Sequence, residues 1–434
     1  MAKAKEKRLS VVFESMIEQQ EADDQSGSQK QSKPKGERKG QVWEFIAIAT
    51  VPLVLVLGNS MLVPILPDMI TELGISKFQS SLVITLFSIT AGLVIPVSGY
   101  LSDRFSRKAV MIPSLIVYGA AGLLAGFGAV WGSYWIIIVA RALQGMGAAG
   151  TAPIAMALVG DMYKDGTESK ALGLTEASNG AGKVVSPIFG SLLALIVWYA
   201  AFFAFPFFCL LAIVAITWII KEPPKETEPP KLKEYCKKIL FILKDKGRWL
   251  ITSFFAGALA LFILFGVLFY LSNMLEEPPY SIEGVTKGFV LAIPLLGMVV
   301  TSYTTGSKIK KNGPLMRILM IVGLSLMTAA SLGTIFLYHY LYVFIALLTL
   351  SSIGTGLVLP CLNTMITGSV EKAERGMITS LYNSLRFIGV AFGPPLFGWL
   401  MDKSHASVFI TVSALSFITL GLVFFLIKPT GQVN

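Results

Sequence analysis

Long apolar runs alternate with short polar segments along the whole of this 434-residue chain. Each run reaches the length of about 20 residues that an α-helix needs to cross the hydrocarbon core of a bilayer. Membrane strands are shorter and alternate between apolar and polar positions, so these unbroken runs are not strands. The pattern predicts an all-α membrane protein with twelve membrane-spanning helices, over residues 43–66, 79–101, 109–130, 134–159, 170–196, 199–220, 249–274, 284–307, 315–336, 338–365, 376–400 and 405–428.

Two long polar segments divide the chain. Residues 1–42 are basic and contain a short amphipathic stretch over 9–17, which predicts a cytoplasmic tail able to lie on the inner leaflet. Residues 221–248 begin with a Pro-rich stretch and continue with apolar positions at helical spacing, which predicts a cytoplasmic linker with an amphipathic helix along the inner surface. The predicted domains are therefore two six-helix bundles, 43–220 and 249–428, followed by a cytoplasmic C-terminus at 429–434.

The composition agrees with a membrane protein. Hydrophobic residues make up 54% of the chain and charged residues only 14%, whereas ordinary soluble domains carry about 25% charged residues. A plain soluble enzyme and a disordered scaffold are both excluded, because neither accommodates so much apolar surface.

The basic residues predict the orientation in the membrane. With both termini inside, 30 of the 36 lysines and arginines fall in inner segments, and only Lys77, Lys287 and Lys403 fall in outer loops. This asymmetry is typical of cytoplasmic termini and an even number of helices. It also accounts for the net charge of +10 without a nucleic-acid partner.

The two halves resemble each other. Gly147 and Pro153 in the fourth predicted helix are echoed by Gly354 and Pro360 in the tenth, and the offset is 207 residues. The segments Pro187–Gly190 and Pro395–Gly398 repeat with an offset of 208 residues. Two parallel repeats of six helices are the plan of a secondary transporter, whose substrate site lies between the halves near the middle of the membrane.

Four charged residues fall well inside predicted helices, away from their ends: Arg141, Glu176, Lys183 and Arg386. Such residues are costly in a membrane and mark functional sites. Glu176 and Lys183 lie on one helix stripe about 10.5 Å apart. We predict that Glu176 carries the proton, with Arg141 and Lys183 as coupling partners. The alternative is a buried ion pair that only fixes helix packing. The predicted substrate cavity comprises Arg386 and the neutral polar residues Asn59, Gln144, Asn179, Asn363 and Asn383.

The loop after the second helix and several helix-breaking residues predict the moving parts. We predict that the loop cluster locks one conformation and releases another; the alternative is an ordinary basic loop at the inner leaflet. Its residues are Gly99, Asp103, Arg104, Arg107 and Lys108. Prolines and glycines loosen helices, and they occur at matching places in both halves. The predicted bends lie at Pro187, Gly190, Pro394, Pro395 and Gly398.

These residues resemble motifs of the major facilitator superfamily and, within it, of the twelve-helix drug:proton antiporters of Gram-positive bacteria. GYLSDRFSRK at 99–108 is similar to the superfamily's loop motif, with Ser106 in place of the usual glycine. RALQGMGAAG at 141–150 is similar to its fourth-helix motif, whose arginine the family links to proton coupling. SPIFGS at 186–191 resembles the antiporter motif of the fifth helix, with Ser186 and Ser191 replacing glycines, and LGNSMLVPILPDM at 57–69 resembles a first-helix exporter signature.

The resemblance implies a proton-coupled exporter of lipophilic small molecules that works by alternating access in a bacterial plasma membrane. Family members that export cations often carry a carboxylate where this chain has Asn59. Three positive residues against one negative favour lipophilic anions or weak acids instead. The chain has no P-loop, and we expect no cofactor, no metal site and a monomer among lipids. The alternatives are a flippase for an anionic lipid or lipid-linked precursor and, in another class, an intramembrane enzyme or a receptor.

Overall fold

The computed structural model describes residues 35–162, 167–222, 232–309, 312–368 and 372–428. Within these ranges, the side chains of residues 35–42, 160, 167–177 and 372–375 and of several positions between 232 and 246 are outside the description. The chain forms two compact units, Met1–Glu44 and Phe45–Asn434. The tail with its predicted amphipathic stretch at 9–17, the Pro-rich part of the linker and the C-terminus at 429–434 therefore lie outside the described residues.

All regular elements among the described residues are helical. In chain order they are α1 Lys35–Ser60, a 3₁₀ turn Val63–Ile65, α2 Leu66–Leu73, α3 Lys77–Arg104, α4 Arg107–Val130, α5 Tyr134–Ala149, α6 Ala152–Met162, α7 Thr167–Ala194, α8 Ala200–Ile219, α9 Leu232–Glu276, α10 Gly284–Ile309, α11 Gly313–Leu337, α12 Leu341–Gly368, α13 Lys372–Met401 and α14 His405–Leu426.

Eleven helical segments among the described residues are long and apolar enough to cross a membrane. They correspond to eleven of the twelve predicted spans, and the remaining span, 170–196, coincides with α7. The first span runs from Trp43 to Leu73, seven residues beyond its predicted end, because the chain continues through the 3₁₀ turn into α2. The fourth predicted span is broken between Ala149 and Ala152.

The amphipathic part of the linker differs from its expected arrangement. Residues from Leu232 onward are the first turns of α9, a continuous helix of 45 residues, instead of a separate surface helix. Ile239 packs beside Tyr100 and Met377, whereas Leu240 and Phe241 are exposed.

Side-chain caps fix where several helices begin. Ser76 and Gln79 form a reciprocal capping box at the start of α3. Ser106, which replaces the motif glycine, accepts a 3.0 Å hydrogen bond from the amide of Ala109 at the start of α4. Asn312 caps α11 in the same way. The polar loop residues that interrupt the apolar pattern therefore determine the helix boundaries directly.

The internal repeat is visible in the packing. A Cβ built on Gly147 of α5 would lie 2.6 Å from the backbone nitrogen of Tyr118 in α4. A Cβ built on Gly354 of α12 would lie 2.5 Å from the carbonyl oxygen of Gly323 in α11. Gly147 and Gly354, which match in sequence, therefore have the same role, because each lets the third and fourth membrane-spanning helices of its half approach closely.

The halves meet through α3 against α13 and through α7 against α10. Thr85 Oγ1 donates a 2.7 Å hydrogen bond to the carbonyl of Ala391, and Ser384 Oγ donates a 2.5 Å bond to the carbonyl of Gly92. At the predicted outer end, the end that the charge distribution places outside the cell, Lys77 Nζ lies 2.7 Å from Glu277 Oε1. Polar contacts therefore join the halves at two depths.

Candidate functional site

Arg141 is the most buried charged residue that the structure describes. It lies on α5 with 0% of its surface exposed. Its Nη2 donates a 2.8 Å hydrogen bond to Oδ1 of Asn59, its Nη1 donates a 2.5 Å bond to Oε1 of Gln144, and its Nε donates a 2.9 Å bond to the carbonyl of Val83. The guanidinium thus holds three helices, α1, α3 and α5, in register.

No described residue brings an opposite charge to Arg141. Among the described residues, no carboxylate oxygen lies within 4 Å of the guanidinium, whose acceptors are all neutral. The ring of Phe87 stacks at 4.4 Å from Cζ to the ring centroid and adds a cation–π contact. Asn59 in turn donates a 3.2 Å bond to Ser88. Asn59 and Gln144, predicted to line the substrate cavity, here hold Arg141.

Arg386 in the other half is differently placed. It is half-buried on α13, and its Nη1 donates a 3.2 Å hydrogen bond to Oδ1 of Asn383. Its Cζ lies 5.4 Å from the ring centroid of Tyr382. Its Nε is buried and has no hydrogen-bond partner. Arg386 and Asn383, both predicted for the cavity, therefore lie together, and the guanidinium keeps an unused donor.

Two further polar groups near Arg386 also lack partners. Thr379 Oγ1 and Tyr382 Oη are buried without a hydrogen bond. Thr379, Tyr382 and Arg386 are spaced by three and four residues, so they follow one face of α13. Buried polar groups are normally paired, so a column of three unpaired ones indicates a place where water or a ligand completes the bonding. Sequence reasoning missed Thr379 and Tyr382, although their helical spacing to Arg386 was a usable signal.

The predicted proton-coupling residues of α7 are only partly described. Glu176 lies within α7, but its side chain is outside the described part of the chain. Lys183 is half-buried and engaged by other groups. Asn179 and Asn363 are half-buried, and neither makes a side-chain hydrogen bond to a described residue. The structure thus leaves the geometry around Glu176 a prediction.

The loop motif forms a charged cluster centred on Arg107. Its Nη1 pairs with Asp103 and donates a 2.8 Å hydrogen bond to Ser102, and its Nε donates a 2.8 Å bond to Asp161 of α6. Glu222 accepts bonds from the amide of Arg107 at 2.5 Å and from the amide of Lys108 at 3.2 Å. Asp161 and Glu222 were missed because they lie 54 and 115 residues away in sequence.

The other predicted loop residues extend this cluster. Arg104 Nη1 donates a 3.4 Å bond to the hydroxyl of Tyr100, and Lys108 Nζ donates a 3.4 Å bond to the carbonyl of Thr217. Gly99 faces the other half, because a Cβ built on it would lie 2.9 Å from Ser380 Oγ. The loop is therefore tied to α6 and α8 within its own half while its preceding glycine contacts α13.

The predicted bending residues lie inside long helices. Pro187 and Gly190 lie in α7, and Pro394, Pro395 and Gly398 lie in α13. Gly190 packs directly on the backbone carbonyl of Met61, which leaves no room for a side chain. α7 and α13 each contact a helix of the opposite half, so any bend in them changes that interface.

The comparisons with known proteins agree with this architecture. The sequence profile of the Major Facilitator Superfamily matches residues 48–394 and, in a second match, residues 280–434. The "Bacillibactin exporter" of Bacillus subtilis (strain 168) is 42% identical over 385 residues, which cover 88% of this chain and 95% of that protein. The "Multidrug efflux protein YfmO" of the same organism is 27% identical over 377 residues, 86% of this chain and 89% of that protein.

A solved structure shows the same fold. The crystal structure of the human organic anion transporter MFSD10 (TETRAN) matches with a TM-score of 0.69 and 19% identity, and the match covers 90% of this chain and 100% of that one. At this identity the likeness concerns the fold alone: two bundles of membrane-spanning helices.

Proposed function

This chain belongs to the major facilitator superfamily of membrane transporters, which are not enzymes, and we propose that it exports a lipophilic acidic small molecule in exchange for protons. Its relatives named as bacillibactin and multidrug exporters support export as the direction. Bacillibactin is therefore the first compound to test. The proposed location is a bacterial plasma membrane with both termini in the cytoplasm, on the basis of the charge asymmetry.

Arg386 carries the proposal for the substrate. Its guanidinium has one neutral side-chain acceptor, Asn383, and a buried Nε without a partner. A partly buried cation that is incompletely bonded is stabilised by an incoming anion, since charge-assisted bonds to carboxylates are the strong ones for arginine. Tyr382 next to it, and Thr379 about two helical turns away on the same face, offer hydroxyl groups for a polar substrate. Arg141 is bonded on all three nitrogens and offers no such opening.

We infer that Glu176 exchanges the proton. It is the carboxylate placed furthest inside a predicted span, and it lies two helical turns from Lys183 on the same helix. In the proposed cycle, protonation of Glu176 from outside weakens its attraction to the cations of the cavity, the halves rock, and substrate release and proton transfer alternate. The membrane potential contributes about 2.3 kcal/mol per charge per 100 mV to such a step.

Transport into inverted membrane vesicles with an imposed pH gradient tests the substrate. We expect bacillibactin uptake by the unaltered protein and a loss of about tenfold or more in affinity for Arg386→Gln, since a hydrogen bond to a charged group contributes about 1.5–3 kcal/mol. Arg317→Gln is the matched control, because Arg317 lies in the same half and also has a buried Nε without a partner, but donates to the carbonyl of Phe424 and lies on another helix. Equal affinities in the two variants would refute the role of Arg386, and uptake of a labelled anionic lipid in place of small molecules would favour a flippase.

The same vesicles test the proton coupling. Glu176→Gln should insert normally and lose all transport that depends on the pH gradient. Glu234→Gln, which neutralises an exposed carboxylate at the start of α9, should leave transport unchanged. If gradient-driven transport survives in Glu176→Gln, Glu176 does not carry the proton.

A further inference from the structure

A cavity lies at the predicted outer end of the molecule. Its volume is about 540 Å³, which is within the range of small-molecule sites. It is formed where α2 ends, where α7 passes into α8 and where α10 begins. Six of its lining residues matter here: Asp68, Glu72, Ser191, Trp198, Tyr199 and Glu283.

Three carboxylates give this cavity a negative charge. Asp68 lies close enough to Glu72 and Glu283 for the three charges to interact. No described residue donates a hydrogen bond to any of the three side chains or pairs with them. Lys287 also acts on Asp68, but it is buried and paired with Glu276, so the four carboxylates around this one cation keep a net negative charge. Like charges that share a cavity with too few counter-ions favour an incoming cation.

The rest of the lining indicates what kind of cation fits. Trp198 and Tyr199 form one wall, with ring centroids 5.4 Å apart in an edge-to-face arrangement. Aromatic faces attract organic cations, and quaternary ammonium groups most characteristically. Ser191 lines the cavity and is only 1% exposed, and its buried hydroxyl has no hydrogen-bond partner. A buried hydroxyl without a partner is an independent sign of a missing polar ligand.

A metal ion does not suit this cavity as well. Among the described residues, no group of three His, Cys, Asp or Glu side chains is arranged to hold a metal ion. The carboxylates therefore surround the space without converging on a point. We propose that this cavity binds a small organic ammonium ion, with the carboxylates of Asp68, Glu72 and Glu283 supplying charge, the rings of Trp198 and Tyr199 supplying cation–π contacts, and Ser191 bonding a hydroxyl or amine of the ligand. This site is separate from the proposed export site and does not depend on it.

Isothermal titration of the purified full chain in lipid nanodiscs tests the proposal, with choline as the probe. The comparison compound is 3,3-dimethylbutan-1-ol, which has the shape of choline without its charge. We expect saturable binding of choline and at least about tenfold weaker binding of the neutral analogue, because the carboxylates and the ring faces both act on the charge. This comparison uses the unaltered protein, so it holds whether or not any variant folds.

Variants then locate the site. Asp68→Asn, Glu283→Gln and Trp198→Ala should each weaken choline binding by about fivefold or more, and Ser191→Ala by about threefold. Asp402→Asn is the control, because Asp402 is an exposed carboxylate at the same end of the molecule and is not part of the lining. Equal binding of choline and its neutral analogue would overturn the proposal. So would an equal loss in Asp402→Asn, or displacement of choline by NaCl and CaCl₂ at matched ionic strength, which would show a diffuse counter-ion region.

Discussion

Nη2 of Arg141 donates a 2.8 Å hydrogen bond to Oδ1 of Asn59, a residue 82 positions earlier in the chain. The bond joins the fourth membrane span to the first at a place that water does not reach. The neutral amide of Asn59 leaves the charge of Arg141 uncompensated by any acid that the structure describes. The described part of the first half therefore keeps a buried positive charge.

We predict that Arg141→Lys destabilises the protein and abolishes transport. A lysine ammonium cannot reach the acceptors on α1, α3 and α5 together, and each buried acceptor left unpaired costs about 1–3 kcal/mol. Thermal unfolding in detergent should show a clear drop in the unfolding temperature. Arg317→Lys, at an arginine that is bonded to a single carbonyl, should leave it nearly unchanged, and similar curves for both variants would contradict the three-helix role.

We predict that the ion pair between Lys77 and Glu277 biases the protein toward closure at the predicted outer end. Its side chains are 32% and 44% exposed, so the pair contributes about 0.2–1 kcal/mol, and its loss shifts the conformational equilibrium by about fivefold at most. The reporter is Ser272→Cys in a background without the three native cysteines. Ser272 is buried and bonds to the carbonyl of Val63 in the other half.

Labelling of this reporter in intact cells by a membrane-impermeant maleimide should be faster with Glu277→Gln. Lys403→Gln is the control, because Lys403 stacks on Trp399, which belongs to the same half of the protein. Unchanged labelling would show that the ion pair does not favour closure. Labelling only from the inner side would show that the predicted orientation is wrong.

We predict that Asp103 and Asp161 act as one unit through Arg107. Both carboxylates bond to the same guanidinium, so removing either one releases the same cation. Asp103→Asn and Asp161→Asn should each slow transport, and the double variant should be no slower than the slower single variant. Transport rates in proteoliposomes provide the measurement. Asp402→Asn, at an exposed position, should have no effect, and additive losses would show two separate roles.

We predict equal destabilisation by Gly147→Ala and Gly354→Ala. Each added methyl group would lie 2.5–2.6 Å from a backbone atom of the neighbouring helix, and such overpacking costs about 1–3 kcal/mol. Gly421→Ala is the matched control, because a Cβ there meets nothing within 4 Å. Unfolding temperatures measure all three. A large difference between the two repeat-related variants would contradict the equivalence of the halves.

Sequence reasoning reached the parts of the site that follow helix geometry. The pairs Arg141–Gln144 and Asp103–Arg107 are three and four residues apart, and both contacts are present. The spans were predicted to within a few residues because long apolar runs leave few choices of boundary. The break between α5 and α6 and the extension of the first span through α2 were missed, since apolar composition does not reveal a turn inside a span.

Contacts between helices could not be predicted from the sequence. Nothing in the sequence around Val83 shows that its carbonyl accepts a bond from Arg141, because carbonyl contacts leave no mark on residue type. Asp68 and Glu283 belong to different halves, and only the packing of α2, α7 and α10 brings them to one cavity. The register of one helix against another depends on the summed packing of many side chains, which periodicity does not encode.

The continuous helix α9 constrains how the two repeats could ever be separated. At 1.5 Å per residue its 45 residues extend about 67 Å, from the linker to the predicted outer end of the seventh span. Expressed as two polypeptides, the transporter would keep its second half intact only if the chain were cut before Leu232. A cut between Leu232 and Gly247, although outside the membrane span, would open a helix end with unsatisfied amide groups. The boundary of the repeat and the boundary of the folding unit are therefore not the same place.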